Sequence, residues 1–441
     1  MDYASALRDL EARVPSRMVP DLERITALAD LLGDPQRTYP SVHVTGTNGK
    51  TSVTSMVSSL LAGIGLSPGT YTSPHLQTVR ERIRAASEPI SEEDFAEAYA
   101  GLLPLAEVVE HDRRATAERI TYFEMLTALA YWWFADRPVD VGVFEVGMGG
   151  TWDATNLVRG EVAVLTAIGV DHPELGSTPA ETADEKVGII KPRATVVSSP
   201  QDDAVLARIA TATEAAAGRL LLVGRDLEVE ERRLAVGGQV LTLRTPSARI
   251  PDLFVPLHGA HQADNAAAAI GALEGFLGGL GGVDAAAARE AFAAVEVPGR
   301  LEVVTTAPTV ILDAAHNPHG AQRAAAGVAE AFDFRDLILV AGCLDGKDVR
   351  GILEAFRGLA GHVVVTAAPS PRALSVDTMA AVAREVWSGT RVAIEMADGV
   401  ADALAKATGV AGERDGVLVT GSITTVGAAR DLFRPLGAPT H

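Results

Sequence analysis

Lys50 is the residue around which chemistry gathers in this sequence. It lies in Ser41-Val-His-Val-Thr-Gly-Thr-Asn-Gly-Lys-Thr-Ser52, a run with the parts of a phosphate-binding loop. Val42, His43 and Val44 read as a short strand, and Gly46 and Gly49 permit the turn after it. Val53, Met56, Val57, Leu60, Leu61 and Ile64 then recur on one face of a helix. In such a loop the backbone around Thr47, Asn48 and Gly49 and the helix N-terminus hold anionic oxygens. Lys50 reaches the terminal phosphates, and a hydroxyl, Thr51 or Ser52, ligates Mg²⁺. The spelling is not the usual G-x-x-x-x-G-K-[ST], because Val44 stands where its first glycine belongs. An ordinary βα turn would account for both glycines but would give Lys50 no task.

Four further places carry suitable chemistry. The stretch 70–83 holds Ser73-Pro74-His75 and then Arg80, Glu81 and Arg82 in a row. It reads either as a solvated loop or as one that offers Ser73 to a metal and arginines such as Arg82 to an anionic substrate. The apolar run 139–145 reads as a buried parallel strand ending in Glu145, with Gly147, Gly149 and Gly150 behind it. An acid at the carboxyl end of such a strand faces the ligand crevice. Glu145 is therefore a candidate Mg²⁺ ligand, or else a strand-end acid in solvent, and the glycines are expected to let a ligand approach the backbone. The strand 162–168 ends near Asp171-His172, so His172 is expected to face Glu145 from an adjacent strand. Lys186 closes a helix ending at Pro192, either as a salt-bridge donor or on the ligand side.

These residues need a frame, and the alternation of patterns supplies one. Helices are expected at 3–14 and 22–32, then the loop strand and helix, and a helix at 121–134 whose apolar face is mostly core. Segment 201–217 reads as helical, 219–257 as β-rich, and 258–276 and 284–294 as alanine-rich helices around a glycine-rich linker. Near Pro298-Gly299-Arg300 the pattern resets. From there strands at 309–313, 337–341, 363–366, 392–395 and 417–420 alternate with helices. This second unit also brings chemistry to a strand end, in Asp313-Ala-Ala-His316-Asn317. The expected fold is α/β: a phosphate-loop domain with a mostly parallel sheet over 1–297, and a smaller Rossmann-like α/β domain over 298–441.

Composition narrows the class. The 441 residues are 47% hydrophobic and 22% charged, as in a globular protein with a large core. A formal charge of −19 argues against a nucleic-acid partner, since phosphate backbones are held by clustered Lys and Arg. Cys343 is the one cysteine, so no intrachain disulfide forms. No apolar run is long enough to span a membrane and the start has no export signal, so a cytoplasmic location is expected.

Taken together, these blocks resemble the folylpolyglutamate synthase/dihydrofolate synthase family, within the Mur ligase superfamily. The resemblance rests on Gly46-Thr-Asn-Gly-Lys-Thr-Ser52, Thr72-Ser-Pro-His-Leu76, Glu81-Arg-Ile83, Thr121-Tyr-Phe-Glu124, Glu145-Val-Gly-Met-Gly-Gly150 and Asp153-Ala-Thr-Asn156. Asp171-His172, Glu185-Lys186, His261-Gln262 with Asn265, Pro298-Gly-Arg300 and Asp313 to Asn317 continue it in order. It implies an ATP-dependent ligase that joins L-glutamate to a folate or dihydropteroate through an acyl phosphate, with Mg²⁺, expected to act as a monomer. It also implies Ser73, Glu145 and His172 as Mg²⁺ ligands and Lys186 as a metal-binding carbamate. Asn265, Arg300 and Asp313 become nucleotide contacts. Lys50, Lys186, His172, Asp313 and His316 form the catalytic set. Thr121, Tyr122, Phe123, Glu124, Trp152, Asp153 and Ala154 line the pterin-side pocket. Many relatives read Gly-Lys-Gly-Ser where this chain has Gly49-Lys50-Thr51-Ser52, and the stretch after His172 is one residue shorter than the family pattern.

Two other readings compete. A peptidoglycan-type Mur ligase shares the loop but carries a nucleotide-sugar domain ahead of it, for which about forty residues are too few. A non-catalytic nucleotide switch would leave Glu145, His172 and Lys186 unexplained.

Overall fold

The computed structural model describes residues 1–14, 20–85, 87–111, 119–170, 173–278 and 282–435. Strand β1 (Ser41–Thr45), buried at all five positions, is the axis of the larger sheet. With it run β2 (Pro68–Tyr71), β3 (Ile83–Ala85), β4 (Glu88–Pro89), β5 (Val141–Glu145), β6 (Val162–Leu165), β7 (Thr195–Ser198) and β8 (Arg219–Leu222). Their order is β4-β3-β2-β5-β1-β6-β7-β8, parallel from β2 to β8 with an antiparallel edge at β3 and β4. Val44 lies opposite Glu145 and Thr45 opposite Leu165, so the loops after β1, β5 and β6 leave by one edge. The sequence reading made the strands of Glu145 and His172 neighbours, and the sheet corrects this: β1 lies between β5 and β6. Strands consecutive in the chain add on opposite sides of β1, which makes its carboxyl end the switch point where a crevice opens.

Side-chain alternation along β1 divides the core. Val42 and Val44 join Met56, Leu60, Ala266, Ile270 and Phe292 beneath the helices Lys50–Gly63, His261–Phe276 and Ala285–Ala293. The alanine-rich helix has small side chains where it meets the loop helix, and so the two approach closely. The other face is aromatic: Tyr39, Tyr71, Tyr131, Phe134 and Phe144 pack beneath the helix Tyr122–Asp136. Its companion, Glu92–His111, has no counterpart in the sequence reading and carries Pro104 inside it.

Strands β9 (Glu228–Ala235), β10 (Gly238–Arg244) and β11 (Arg249–Val255) form a small antiparallel sheet. A third sheet holds β12 (Glu302–Thr306), β13 (Thr309–Leu312), β14 (Leu337–Ala341), β15 (Ala360–Thr366), β16 (Ala393–Ala397) and β17 (Gly416–Thr420). Its order is β12-β13-β17-β14-β15-β16, parallel apart from the edge strand β12. Apolar clusters fill both of its faces. Among the described residues no strand of this sheet pairs with any before it.

His43 faces away from the valines, fully buried, with Nε2 2.8 Å from Thr155 Oγ1. Burial, helped by the charge of Lys191, lowers its pKa to about 3, so it is neutral in the fold. The unfolded chain takes up a proton below about pH 6.5. The stability this histidine contributes is therefore complete above that pH and is lost as pH falls from 6.5 toward 3. Between pH 7.5 and 5.5, unfolding free energy should fall about 1.4 kcal/mol more for the parent chain than for His43→Gln. Equal losses in urea titrations of the two proteins would refute this.

Candidate active site

The loop after β1 turns tightly because Gly46, at φ 150°, lies against Thr166; a Cβ there would overlap Thr166 Oγ1. Thr47 N and Asn48 N both donate to Ala167 O (2.9 and 3.3 Å), and Thr47 Oγ1 donates to Gly169 O at 2.8 Å. Gly49, also at positive φ, precedes the helix that starts at Lys50. Lys50 Nζ folds back to donate to Gly46 O at 3.0 Å and Thr47 O at 3.4 Å. The N–H groups of Thr47 and Asn48, expected to hold anionic oxygens, are thus engaged within the protein, and what faces an anion is the helix N-terminus from Gly49 on together with this ammonium.

Glu145 closes the floor of that site. Thr51 Oγ1 donates to its Oε1 at 2.9 Å, and Ser73 N donates to its Oε2 at 3.3 Å. Burial raises the pKa of this 1% exposed carboxyl, while Lys50, Thr51, Ser73 and Arg300 oppose the rise. A buried carboxylate beside two hydroxyl-bearing residues is a hard-oxygen donor set of the kind Mg²⁺ takes, with few protein ligands and room for phosphate and water. Ser52 is turned inward, its Oγ accepting from Gln262 Nε2 at 3.4 Å. That leaves Thr51 as the loop hydroxyl nearer the carboxylate. His172 lies outside the described residues, and among those residues no cluster of three His, Cys, Asp or Glu forms a metal cage.

Lys186 ends the helix Pro179–Lys186, and its Nζ donates to Gly46 O at 2.9 Å. Two lysines thus meet on one carbonyl. The glycines after Glu145 make this possible: a Cβ on Gly150 would come within 2.9 Å of the carbonyls of both Glu185 and Lys186. Here the close approach is made by a helix end of the protein itself, where the sequence reading assigned it to a ligand. A small pocket opens between these parts, lined by Gly46, Lys50, Gly147, Thr182 and Lys186 among others. Among the described residues Thr182 Oγ1, buried there, has no hydrogen-bond partner, which suits a polar occupant.

The third sheet, β12–β17, supplies the opposite wall. Asn48 Nδ2 donates to His319 Nδ1 at 3.0 Å, and its Oδ1 accepts from Asn317 Nδ2 at 3.3 Å. Asn317 also caps the helix Pro318–Ala331 by accepting from Gly320 N. Asp313 is buried at the end of β13, its carboxylate accepting from Leu301 N (3.0 Å) and Ala315 N (2.9 Å). Burial raises its pKa, opposed by the neighbouring Arg300. Both oxygens of Asp313 therefore hold the loops of Arg300 and His316 in place. Arg300 Nη1 donates to Gly299 O, and His316 Nδ1 is 3.0 Å from Ala314 O. Asn265 is buried beside Gly49, its Nδ2 donating to Gln262 Oε1 at 2.9 Å.

The pterin-side positions divide by what their side chains do. Arg82 lies 5.3 Å from the Tyr122 ring centroid, and its Nε donates to His75 Nδ1 at 2.9 Å. Burial and Arg82 lower the His75 pKa to about 4, so the imidazole is a neutral acceptor. Phe123 packs against Gly147, and Trp152 N donates to Glu185 Oε1 at 3.3 Å. The others are turned into the fold. Thr121 and Glu124 form a capping box, and Glu124 pairs with buried Arg24 at 3.1 Å. Asp153 accepts from Met148 N (2.9 Å) and from Thr155, while Ala154 is buried and its carbonyl accepts from Tyr131 OH. These four shape the wall through backbone positions. Thr182 and Arg24 were missed in the sequence, where no spacing relates them to the loop, and His319, inside the strand-end stretch that begins at Asp313, was given no role there.

Comparison with known proteins gives a consistent picture. The Mur ligase middle domain matches residues 44–273, and the Mur ligase glutamate ligase domain matches 299–423. A dihydrofolate synthase/folylpolyglutamate synthase of Mycobacterium tuberculosis is 43% identical over 449 residues, covering 96% of this chain and 92% of the relative. A folylpolyglutamate synthase of Lacticaseibacillus casei is 34% identical over 357 residues, covering 80% and 83%. Among solved structures, M. tuberculosis folylpolyglutamate synthase complexed with ADP superposes with a TM-score of 0.92 at 42% identity, covering all of both chains. An FPGS–AMPPCP–folate complex gives 0.86 at 30% identity, covering 98% and 100%.

Proposed function

Because this chain belongs to the Mur ligase family, as one of its dihydrofolate/folylpolyglutamate synthases, we propose the following roles for its site. The enzyme is an ATP-dependent ligase that joins L-glutamate to folates, to dihydropteroate, or to both. The observation that carries this is the meeting of Lys50 and Lys186 on one pocket at the end of β1, with the bonded Thr51–Glu145 pair next in sequence to Lys50 and Val146 of its wall. A carboxylate cannot acylate an amine directly, because oxide would have to leave. Phosphorylation by ATP converts that oxygen to phosphate, which leaves when the glutamate nitrogen attacks the carbonyl carbon. Lys50 and the N–H groups of the helix N-terminus hold the phosphate oxygens as charge redistributes. Thr51 or Ser52, with Ser73, Glu145 and His172, would hold Mg²⁺, which neutralises phosphate charge. Lys186 would serve as a carbamate on a second ion.

Asn265, Arg300 and Asp313 form the nucleotide wall, with Asp313 acting as the group that positions Arg300 and His316. Arg82 and Tyr122 face the substrate acid, alongside Phe123 and Trp152. We place the domain boundary near Val297, so that the Asn48–His319 contact spans the cleft and closing it excludes water. Among the described residues no helix is long and apolar enough to cross a membrane; the proposed enzyme acts as a monomer in the cytoplasm. Phosphate release by the purified protein over a panel of pteroates, folates and amino acids tests the reading. Release should require a pteroate or folate together with L-glutamate. Release without them would favour a switch, and release only with a nucleotide-sugar substrate would favour the peptidoglycan branch.

A further inference from the structure

Arg84 has no role in the site described so far, yet it is a poorly satisfied cation near it. It lies on β3 opposite Thr70 of β2, and its Nη2 is 3.5 Å from Ser55 Oγ on the loop helix, a weak contact. Among the described residues no carboxylate is within ion-pair distance of it, and its Nε is buried with no hydrogen-bond partner. Burial lowers its pKa, with Glu81 and Glu145 the negative fields that oppose the drop. A guanidinium drawn out of water without a partner costs several kcal/mol. Its fork of donors matches a carboxylate in two-point contact.

Its position says which carboxylate. Ser55 follows Thr51 by four residues on the same helix face, about 6 Å along the axis. An acid accepting from Arg84 would therefore extend over Thr51 and Glu145, where the reacting carboxyl must meet the terminal phosphate.

We propose that Arg84 binds a substrate carboxylate beside the phosphate loop, a second anion site next to that of Lys50. The group is either the carboxyl being activated or the α-carboxylate of the incoming amino acid. This inference rests on the ligase reading. Wild-type turnover tests that reading by itself, so the variants test Arg84 alone.

Steady-state kinetics of Arg84→Met and Arg84→Lys, varying ATP, folate substrate and glutamate in turn, decide the matter. In Arg84→Met, KM for one acid should rise about 30-fold, the worth of one lost charged contact. KM for ATP should stay within about threefold, and the melting temperature should move little. Arg84→Lys should recover part of the loss. A rise for the folate substrate assigns the activated carboxyl, and a rise for glutamate assigns the amino acid. Two unchanged acid KM values would overturn the proposal, as would a fall in kcat alone accompanied by weaker Mg²⁺ activation. If Arg84→Met does not fold, unchanged acid KM values in Arg84→Lys overturn it equally.

Discussion

Lys50→Ala should lose about a thousandfold or more in kcat while remaining folded. The structure explains why both halves of that result belong together. Among the described residues Lys50 Nζ hydrogen-bonds only the carbonyls of Gly46 and Thr47, inside its own loop. Removing it breaks no ion pair among them and opens no core cavity, so the melting temperature should stay within a few degrees. Its charge is the largest of the influences that offset burial at Glu145, and it stands at a helix N-terminus facing the pocket. Losing a preorganised charge aimed at phosphate costs about 3–4 kcal/mol of transition-state stabilisation, or two to three powers of ten, and the buried Glu145 adds to the loss by holding its proton more tightly. Lys50→Met, which keeps the aliphatic stem, should behave alike and so separates charge from packing. Phosphate release within threefold of the parent would end the nucleotide-loop reading.

How much of this was legible beforehand depends on range. The loop, its helix and the Glu145 strand were readable because each signal is local: glycines at a turn, one apolar face, a buried run ending in an acid. The third sheet was readable from alternation, although its edge strand β12 was not, since an edge strand with a half-exposed face has no distinctive period. The strand order was not legible either. Nothing local tells β6 to pass beyond β1, and the mistaken pairing of Glu145 with the strand before His172 came from treating neighbours in sequence as neighbours in space. The same limit hid the Asn48–His319 contact, whose partners are 271 residues apart. It also gave the glycines after Glu145 to a ligand, when what fills the space is the Glu185–Lys186 helix end. Asp153 and Asp313 show another limit. Sequence marks them as acids at loop and strand ends, but only coordinates reveal that backbone N–H groups occupy their oxygens.

Lys186→Ala should fall below about 1% of parent activity and regain part of it when a short carboxylate such as acetate is added. The geometry gives this prediction its force. Lys186 and Lys50 each place Nζ within about 3 Å of Gly46 O, so the two nitrogens are no more than about 6 Å apart. Two ammonium groups at that separation repel by about 3 kcal/mol at an effective dielectric of 20, before water around half-exposed Lys50 reduces the figure. A carbamate reverses the sign. The neutral Lys186 amine attacks CO₂, a C–N bond forms, the proton leaves, and an anion faces Lys50 and any bound cation. Such a group would place two further oxygens at the pocket, beside the unpartnered Thr182 hydroxyl. Degassing CO₂ should then lower parent activity and bicarbonate should restore it, while Lys186→Ala ignores bicarbonate and answers to acetate. Lys50 still satisfies Gly46 O after the substitution, and thermal melting of the variant checks that the fold survives. Parent activity indifferent to bicarbonate, together with an alanine variant that acetate cannot rescue, would leave Lys186 as an ammonium that braces the loop.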